Sequence, residues 1–140
     1  MKRVYVDMVG DLFHPGHVEL LRRASALGDV LIVGVLSDAT AADYKRVPVM
    51  TLAERVAVIR ACRYVDEVIA DAPDVVTSEF LASHDISLVV HGADISEDAV
   101  EAIYGDPKRE GKLELVQPLP GVSTTAIIER VRSGKHGRRD

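Results

Sequence analysis

The chain has 140 residues, of which 47% are apolar and 28% are charged, so it is long enough for one globular domain and too apolar for a disordered chain. Its net charge of −5, with many of the basic residues near the C-terminus, excludes the broad basic face that binds nucleic acid. No apolar run reaches the roughly 18 residues of a membrane span, no targeting signal is visible, and the single cysteine, Cys62, indicates a reducing, cytoplasmic setting.

Five short apolar runs rich in β-branched residues predict five strands. Helical segments separate these runs, and the alternation is typical of parallel βαβ units in an α/β layer structure. We therefore expect one domain with an open parallel sheet over residues 1–132, and a basic, flexible tail or linker over residues 133–140. The predicted strands are Arg3–Asp7, Val30–Leu36, Glu67–Ala70, Leu88–His91 and Leu113–Gln117.

Apolar spacing and capping signals predict four helices. The first extends from about Val18 to Leu27 and stops at Gly28. The second begins at Thr51, because Thr51 and Glu54 have the spacing of a capping box, in which each side chain binds a free amide of the first turn. The last two are predicted at Glu79–His84 and from about Thr125 to Arg132.

Ligands bind an open parallel sheet at the carboxyl ends of its strands, so the loops after Asp7, Leu36, His91 and Gln117 are the candidate sites. The first of these loops contains His14 and His17 and leads directly into a helix. The free amides and dipole of a helix N-terminus favour an anion, and both imidazoles can donate to phosphoryl oxygens. A pair of surface histidines in a turn is the alternative, but the position between strand and helix favours a phosphate site.

Two motifs together resemble one enzyme family. His14-Pro15-Gly16-His17 matches the HxGH signature of the nucleotidyltransferase superfamily, and Gly121-Val122-Ser123-Thr124-Thr125 is similar to the last loop of its cytidylyltransferase branch. The resemblance to ethanolamine-phosphate and glycerol-3-phosphate cytidylyltransferases extends from about Arg3 to Arg132. It implies a Rossmann-like sheet with helices on both faces, a magnesium ion as cofactor, and transfer of CMP from CTP with release of pyrophosphate.

The same resemblance implies a role for each matching residue. His14 and His17 stabilise the triphosphate while an acceptor oxygen attacks the α-phosphorus, and Lys45 is the third catalytic residue. No residue is assigned to a metal. The nucleotide-binding residues are Asp11, Gly16, Gly92, Asp94, Gly121, Ser123 and Thr124, of which Ser123 and Thr124 contact the β- and γ-phosphates. The acceptor-binding residues are Val9, Gly10, Lys45 and Arg46.

Several of these assignments have a structural alternative. Ser123 has the position of a helix N-cap, Asp94 that of a turn residue after a strand, and Asp11 that of a residue that orients either the loop or the substrate. Lys45 and Arg46 are also typical of a solvated charged loop. Arg55 coincides with an arginine of the family, and an exposed helical arginine paired with Glu54 or Asp66 gives the same pattern.

The chain departs from the family pattern at two places. Met8-Val9-Gly10 replaces a segment with a hydroxyl and an aromatic ring beside the acceptor pocket, which favours a short acceptor with few hydroxyls. Pro118-Leu119-Pro120 replaces a segment that contains an arginine, and Lys108, Arg109 or Lys112 are candidates to substitute for it. With no Trp, two Phe and four Tyr, the chain is poorly equipped for the aromatic cage that binds choline.

The expected reaction is therefore cytidylyl transfer to a small phosphate- or phosphonate-bearing alcohol, such as phosphoethanolamine or 2-hydroxyethylphosphonate. The alternatives are an adenylyltransferase of the same superfamily that uses ATP, and a catalytically idle nucleotide-binding module. Arg63-Tyr64-Val65-Asp66-Glu67-Val68 resembles the subunit-contact segment of the family and predicts a homodimer. The acidic body and short chain provide no surface for tRNA, which excludes a fragment of a tRNA synthetase. We therefore expect CTP and a small phosphate or phosphonate acceptor as partners, and neither nucleic acid nor a membrane.

Overall fold

Five parallel strands form the centre of the computed structural model, which describes residues 1–134 apart from the side chain of Tyr44. The predicted tail lies outside the described residues from position 135 onward. In chain order the elements are β1 (Arg3–Met8), α1 (Pro15–Ser25), β2 (Val30–Leu36), α2 (Asp38–Tyr44), α3 (Leu52–Arg60), β3 (Glu67–Ala72), α4 (Ser78–Ser83), β4 (Leu88–Gly92), α5 (Glu97–Arg109), β5 (Leu113–Val116) and α6 (Thr124–Ser133).

The order of the strands across the sheet is β3-β2-β1-β4-β5. Strand order therefore reverses beside β1, because β2 pairs with it on one side and β4 on the other. The carboxyl ends of β1 and β4 are where an open parallel sheet binds its ligands. All five predicted strands are present, with ends that differ by one or two residues.

Alternate residues of the strands pack on opposite faces of the sheet. Val4 and Val6 of β1 belong to a core cluster with residues of α1 and α3, such as Leu21 and Ile59. Tyr5 of β1 packs in a second cluster, which includes residues of α4 and α5. Helices thus cover both faces, as the Rossmann-like prediction requires, and no helix of the described residues is long and apolar enough to cross a membrane.

The first helix ends earlier than predicted, and Gly28 has a different reason to be glycine. Helix α1 ends at Ser25, so Gly28 does not terminate it. A Cβ atom at position 28 would lie 2.5 Å from Cγ2 of Val4 and 2.8 Å from the carbonyl oxygen of Lys2. Gly28 therefore permits close approach between the turn before β2 and the beginning of β1.

Two helices, α2 and α5, were not predicted. Helix α2 has only seven residues, too few for a clear period. Helix α5 contains Pro107, and its Tyr104 has a non-helical backbone (φ −118°, ψ 21°) where the helix is kinked. These local signals oppose a helix, and packing of Val100 and Tyr104 in the second core cluster stabilises it.

Candidate active site

A cleft of about 590 Å³ opens at the carboxyl ends of the strands, a volume typical of small-molecule sites. Each of the loops expected to carry chemistry contributes residues to its lining. Nearly all predicted site residues line this cleft, namely Val9, Gly10, Asp11, His14, Gly16, His17, Lys45, Arg46, Gly92, Asp94, Ser123 and Thr124. Gly121 lies in the turn before Ser123, with a left-handed backbone at φ 79°, and is not part of the lining described.

The two histidines are held in one tautomer by the turn that precedes α1. Nδ1 of His14 accepts from the amide of Gly16 at 3.0 Å, and Nδ1 of His17 accepts from the amide of His14 at 3.1 Å. A neutral imidazole with an accepting Nδ1 carries its proton on Nε2. Both side chains thus carry an Nε2–H donor, and that of His14 lies within hydrogen-bond distance of Thr124.

Burial keeps these imidazoles neutral. Burial and the adjacent His14 lower the pKa of His17 to about 4, and burial followed by the charge of Lys45 lowers the pKa of His14. The ring of His17 stacks on Phe13, and the two imidazole centroids are 3.9 Å apart. At neutral pH, the pair can therefore offer hydrogen bonds to an anion but no imidazolium charge.

The lowered pKa of His17 predicts a pH-dependent loss of stability. Between the unfolded pKa of about 6.5 and the folded pKa of about 4, the unfolded chain binds a proton that the folded chain does not. The free energy of unfolding should therefore fall as the pH is lowered through this window, by on the order of 2–3 kcal/mol from this residue.

The check is urea unfolding of the wild type and of His17→Asn at pH 7.5 and pH 4.5. The asparagine retains an acceptor near the position of Nδ1 and does not titrate. The wild type should lose more stability than the variant over this pH interval, and equal losses would show that His17 does not carry the effect.

The N-terminus of α6 borders the cleft beside His14. Ser123 is its N-cap, and its hydroxyl accepts from the amide of Ala126 at 3.1 Å. Nε2 of His14 lies 3.2 Å from Oγ1 of Thr124, which donates to the carbonyl of Asp11 at 3.2 Å. Because Nδ1 of His14 is an acceptor, its Nε2 carries the proton. His14 therefore donates to Thr124, and Thr124 donates to the carbonyl of Asp11. Residues 110 or more positions apart in sequence thereby join the two motifs.

Asp11 holds the loop between α2 and α3. Its two carboxylate oxygens accept from the amides of Val49 and Met50 at 2.8 and 2.9 Å, and the residue is 4% exposed. Asp11 borders the cleft, and both oxygens of its carboxylate are hydrogen-bonded to this loop. The structure thus shows a loop-orienting role for Asp11, and the nucleotide contact stays a prediction.

Arg55 is fully buried, so the alternative of an exposed helical arginine is wrong. Its guanidinium donates to the carbonyls of Met50, Val9 and Leu36 at 2.7–3.2 Å and to the carboxylate of Asp38 at 2.5 Å. These partners belong to the loop after β1, to the junction of β2 and α2, and to the loop before α3. One side chain therefore ties together three segments that surround the cleft. The capping box of Thr51 and Glu54 is confirmed at the start of the same helix.

Lysine and arginine line the cleft at only two described positions, Lys45 and Arg46. Lys45 is the C-cap of α2 and is exposed. Arg46 is partly buried, and its guanidinium donates to Oγ1 of Thr125 at 3.1 Å. The candidates Lys108, Arg109 and Lys112 form ion pairs with Glu101, Asp106 and Glu110 and do not line the cleft, so the structure does not support them as substitutes.

A carboxylate, a phenol and an imidazole lie together where β1 and β4 end. Tyr104 Oη donates to the Asp7 carboxylate at 2.5 Å and lies 3.0 Å from Nδ1 of His91. Asp7 is 4% exposed, and burial raises the pKa of its carboxyl, although the bond from Tyr104 opposes that rise. All three residues line the cleft, and Asp74 and Asp94 add further carboxylates. A cationic group beside Asp7 would favour the charged form of its carboxyl.

The wall that departs from the family pattern has an unusual backbone. Gly10 is in the left-handed region at φ 71°, and a Cβ there would lie 2.6 Å from Cδ1 of Ile59. Gly10 therefore allows the loop to pack on α3, while the carbonyl of Val9 is held by Arg55. A Cβ at position 16 would lie 2.8 Å from Cε1 of His14, so Gly16 makes room for that imidazole.

Comparison with known proteins agrees with this geometry. The family model described as cytidylyltransferase-like matches residues 10–130. The chain belongs to the cytidylyltransferase-like family. The resemblance predicted from the two motifs is thereby confirmed.

Relatives of this cytidylyltransferase-like chain include longer proteins. An ethanolamine-phosphate cytidylyltransferase of Dictyostelium discoideum is 44% identical over 130 residues, which are 92% of this chain and 36% of that protein. Choline-phosphate cytidylyltransferase A of Homo sapiens is 42% identical over 133 residues, with the same two coverages of 92% and 36%. The chain thus spans about a third of the length of these relatives. The two identities are too similar to distinguish between the two acceptors named.

The fold also matches a solved structure. The lipopolysaccharide core biosynthesis protein from Thermoplasma volcanium GSS1 has a TM-score of 0.69 and 26% identity, with 85% of this chain and 97% of that chain covered. The nearly complete coverage of that chain agrees with a single domain that contains the whole sheet.

Sequence reasoning missed part of the site in this cytidylyltransferase-like domain. Asp7 was identified only as the end of a strand, although a carboxylate that ends a buried apolar run is itself a signal. Tyr104 gave no signal, because the helix that carries it was not predicted. His91 closes a predicted strand, from which it could reach the site, and it lines the cleft in the structure.

Proposed function

We propose that this domain transfers the cytidylyl group of CTP to the phosphate oxygen of a small alcohol phosphate. An acceptor oxygen attacks the α-phosphorus, the bond from that phosphorus to the bridging oxygen breaks, and pyrophosphate leaves with the electron pair. The observation that supports the proposal is the pair of neutral Nε2–H donors of His14 and His17 in one cleft, with Nε2 of His14 3.2 Å from Oγ1 of Thr124 at the N-terminus of α6.

The histidines would act by stabilising charge that develops on the phosphoryl oxygens. Their donors are fixed before the substrate arrives, since the Nδ1 atoms are held by backbone amides, and preorganised donors of this kind are a large catalytic contribution. Lys45 lies at the same cleft and would neutralise the acceptor phosphate. Ser123 and Thr124 would place the free amides of α6 toward the β- and γ-phosphates.

Magnesium fits this site as an ion that binds together with the nucleotide. Within residues 1–134, no three His, Cys, Asp or Glu side chains are grouped so that they could hold a metal ion. Magnesium is commonly held by substrate phosphates with one or two carboxylates, and Asp94 borders the cleft. The ion would supply neutralisation of the triphosphate charge.

Phosphoethanolamine is the acceptor that the cleft supports best. An ammonium group would complement the buried carboxylate of Asp7, and Asp74 lines the same cleft. Tyr104 is the only Phe, Tyr or Trp among the described lining residues, so a cage for quaternary ammonium is absent there. Glycerol 3-phosphate and 2-hydroxyethylphosphonate have no cation for these carboxylates.

The test is pyrophosphate release with CTP or ATP and magnesium over a panel of acceptors. We expect turnover with CTP, lost when the divalent ion is chelated, and the highest kcat/KM with phosphoethanolamine. Phosphocholine, glycerol 3-phosphate and 2-hydroxyethylphosphonate complete the panel. Higher turnover with ATP for every active acceptor would favour the adenylyltransferase alternative, and no turnover with either nucleotide would favour the idle binding module.

The homodimer is a further proposal, supported by the resemblance of residues 63–68 to a subunit-contact segment. That segment leads into β3, which is an edge strand of the sheet and has partly exposed apolar side chains. Sedimentation of the purified protein tests it directly. The cytoplasmic setting stays a prediction from the cysteine content.

A further inference from the structure

Asp74 is a carboxylate of the cleft to which no contact has been assigned. It is exposed, lies two residues after β3 and lines the cleft. Within residues 1–134, its side chain has no hydrogen-bond or ion-pair partner. Two other carboxylates of the lining differ in this respect, because Asp11 accepts from loop amides and Glu19 pairs with Arg22. The Asp74 carboxylate is therefore available to a ligand in the cleft.

The loop that carries Asp74 is fixed against the helix that carries Tyr104. Asp71 has a left-handed backbone at φ 53° and is the extra residue where the register of β3 against β2 shifts. A bulge of this kind bends the strand. Beyond the bend, the amide of Val76 donates to the carbonyl of Ile103 at 2.9 Å. Since Ile103 precedes Tyr104 in α5, adjacent residues of one helix hold the loop of Asp74 and supply the phenol of the cleft.

The Asp7 carboxylate beside this phenol attracts a cation without distinguishing one ammonium group from another. It is buried, and its Oδ1 already accepts from Tyr104. A primary ammonium group has three N–H donors, so it gains from a second acceptor in the cleft. A quaternary ammonium group has no N–H and is recognised by aromatic faces instead. A second carboxylate that accepts an N–H therefore favours the primary amine.

We propose that Asp74 is a specificity-determining residue, which accepts an N–H of the acceptor's primary ammonium group and selects that group over N-methylated ones. This inference rests on the proposed function and extends it from the phosphate of the acceptor to its amine. Lys45 remains the cation for the acceptor phosphate, and Asp94 remains the carboxylate that the sequence assigns to the nucleotide.

The experiment measures kcat/KM with saturating CTP for phosphoethanolamine, its N-methyl and N,N-dimethyl derivatives, and phosphocholine. In the wild type, kcat/KM should fall with each added methyl group. Asp74→Ala should lower kcat/KM for phosphoethanolamine about tenfold or more, as expected for loss of a charged hydrogen-bonding group, and chiefly through KM. Phosphocholine should lose less, so the preference for the primary amine should shrink. Glycerol 3-phosphate has no cation, and its kcat/KM should not fall.

Two further variants separate the hydrogen bond from charge. Asp74→Asn retains an oxygen that can accept an N–H, so its loss with phosphoethanolamine should be smaller than that of Asp74→Ala. Asp98→Ala removes the same charge from an exposed aspartate of α5 outside the cleft and should behave as the wild type. The dissociation constant of CTP, measured by calorimetry, should be unchanged in all three variants. Urea unfolding of Asp74→Ala should match the wild type, because the side chain has no partner within residues 1–134.

Several results would overturn the inference. An unchanged KM of phosphoethanolamine in Asp74→Ala would show that the carboxylate does not contact the amine. Equal losses with phosphoethanolamine and phosphocholine would leave only an effect of charge, and an equal loss with glycerol 3-phosphate would indicate a disturbed loop.

Failure of the proposed function looks different from failure of this inference. If the wild type forms no product with any acceptor, the reaction is wrong. Calorimetric binding of phosphoethanolamine and phosphocholine to the wild type and Asp74→Ala then still tests the selection of the amine. A wild type that releases pyrophosphate from CTP but prefers glycerol 3-phosphate keeps the reaction and loses the inference.

Discussion

Replacing His17 by alanine is expected to lower kcat by about 10²–10³, the usual effect of removing one donor to a transition-state oxygen. His14→Ala is expected to have a similar effect. In each case an Nε2–H that the turn before α1 has oriented is lost. The measurement is steady-state pyrophosphate release with CTP and phosphoethanolamine.

His17→Asn makes this test sharper. Asparagine can replace Nδ1 as the acceptor of the His14 amide, but it does not reach the position of Nε2. The variant should therefore be as slow as His17→Ala while unfolding at a higher urea concentration. His84→Ala is the control, because His84 lies outside the cleft and its ring packs at a tilt against Phe80. Near-normal turnover in His17→Asn would mean that Nε2 is not the catalytic donor.

Arg55→Met is expected to have the largest effect on stability, a loss of about 3 kcal/mol or more of the free energy of unfolding. The substitution leaves the carbonyls of Val9, Leu36 and Met50 without their donor, and each buried acceptor left unpaired costs roughly 1–3 kcal/mol. Urea unfolding measures the loss directly. Activity should also fall where the protein remains folded, because the loops after β1 and β2 lose their shared partner.

Asp38→Asn is the matched control for Arg55. The Asp38 side chain is 50% exposed, so water replaces much of the lost charge interaction, and the expected cost is below about 1 kcal/mol. A loss that small in Arg55→Met would show that the three loops hold their positions without the guanidinium.

The departures from the predicted helices have one physical cause. Local signals predicted the helix of Leu52–Arg60 because its capping box is complete within four residues. In α5, by contrast, Gly105 and Pro107 oppose a helix locally, and the buried side chains of Val100 and Tyr104 favour it through contacts with distant strands. Periodicity therefore identified elements whose stability is local and missed those stabilised by tertiary packing.

The amino-acid sequence alone determined the fold class, the family and the histidine motif, since strand runs, capping residues and His14-Pro15-Gly16-His17 are contiguous in the chain. Only the tertiary structure showed which side chains are hydrogen-bonded within the protein and which line the cleft. The Asp11 carboxylate binds amides 38 and 39 residues away, and Arg46 reaches Thr125, 79 residues away. The carboxylate of Asp7 accepts a hydrogen bond from Tyr104, which is 97 residues away in the sequence. Such contacts depend on the order of the strands in the sheet, which brings distant segments together. Local sequence patterns do not predict that order.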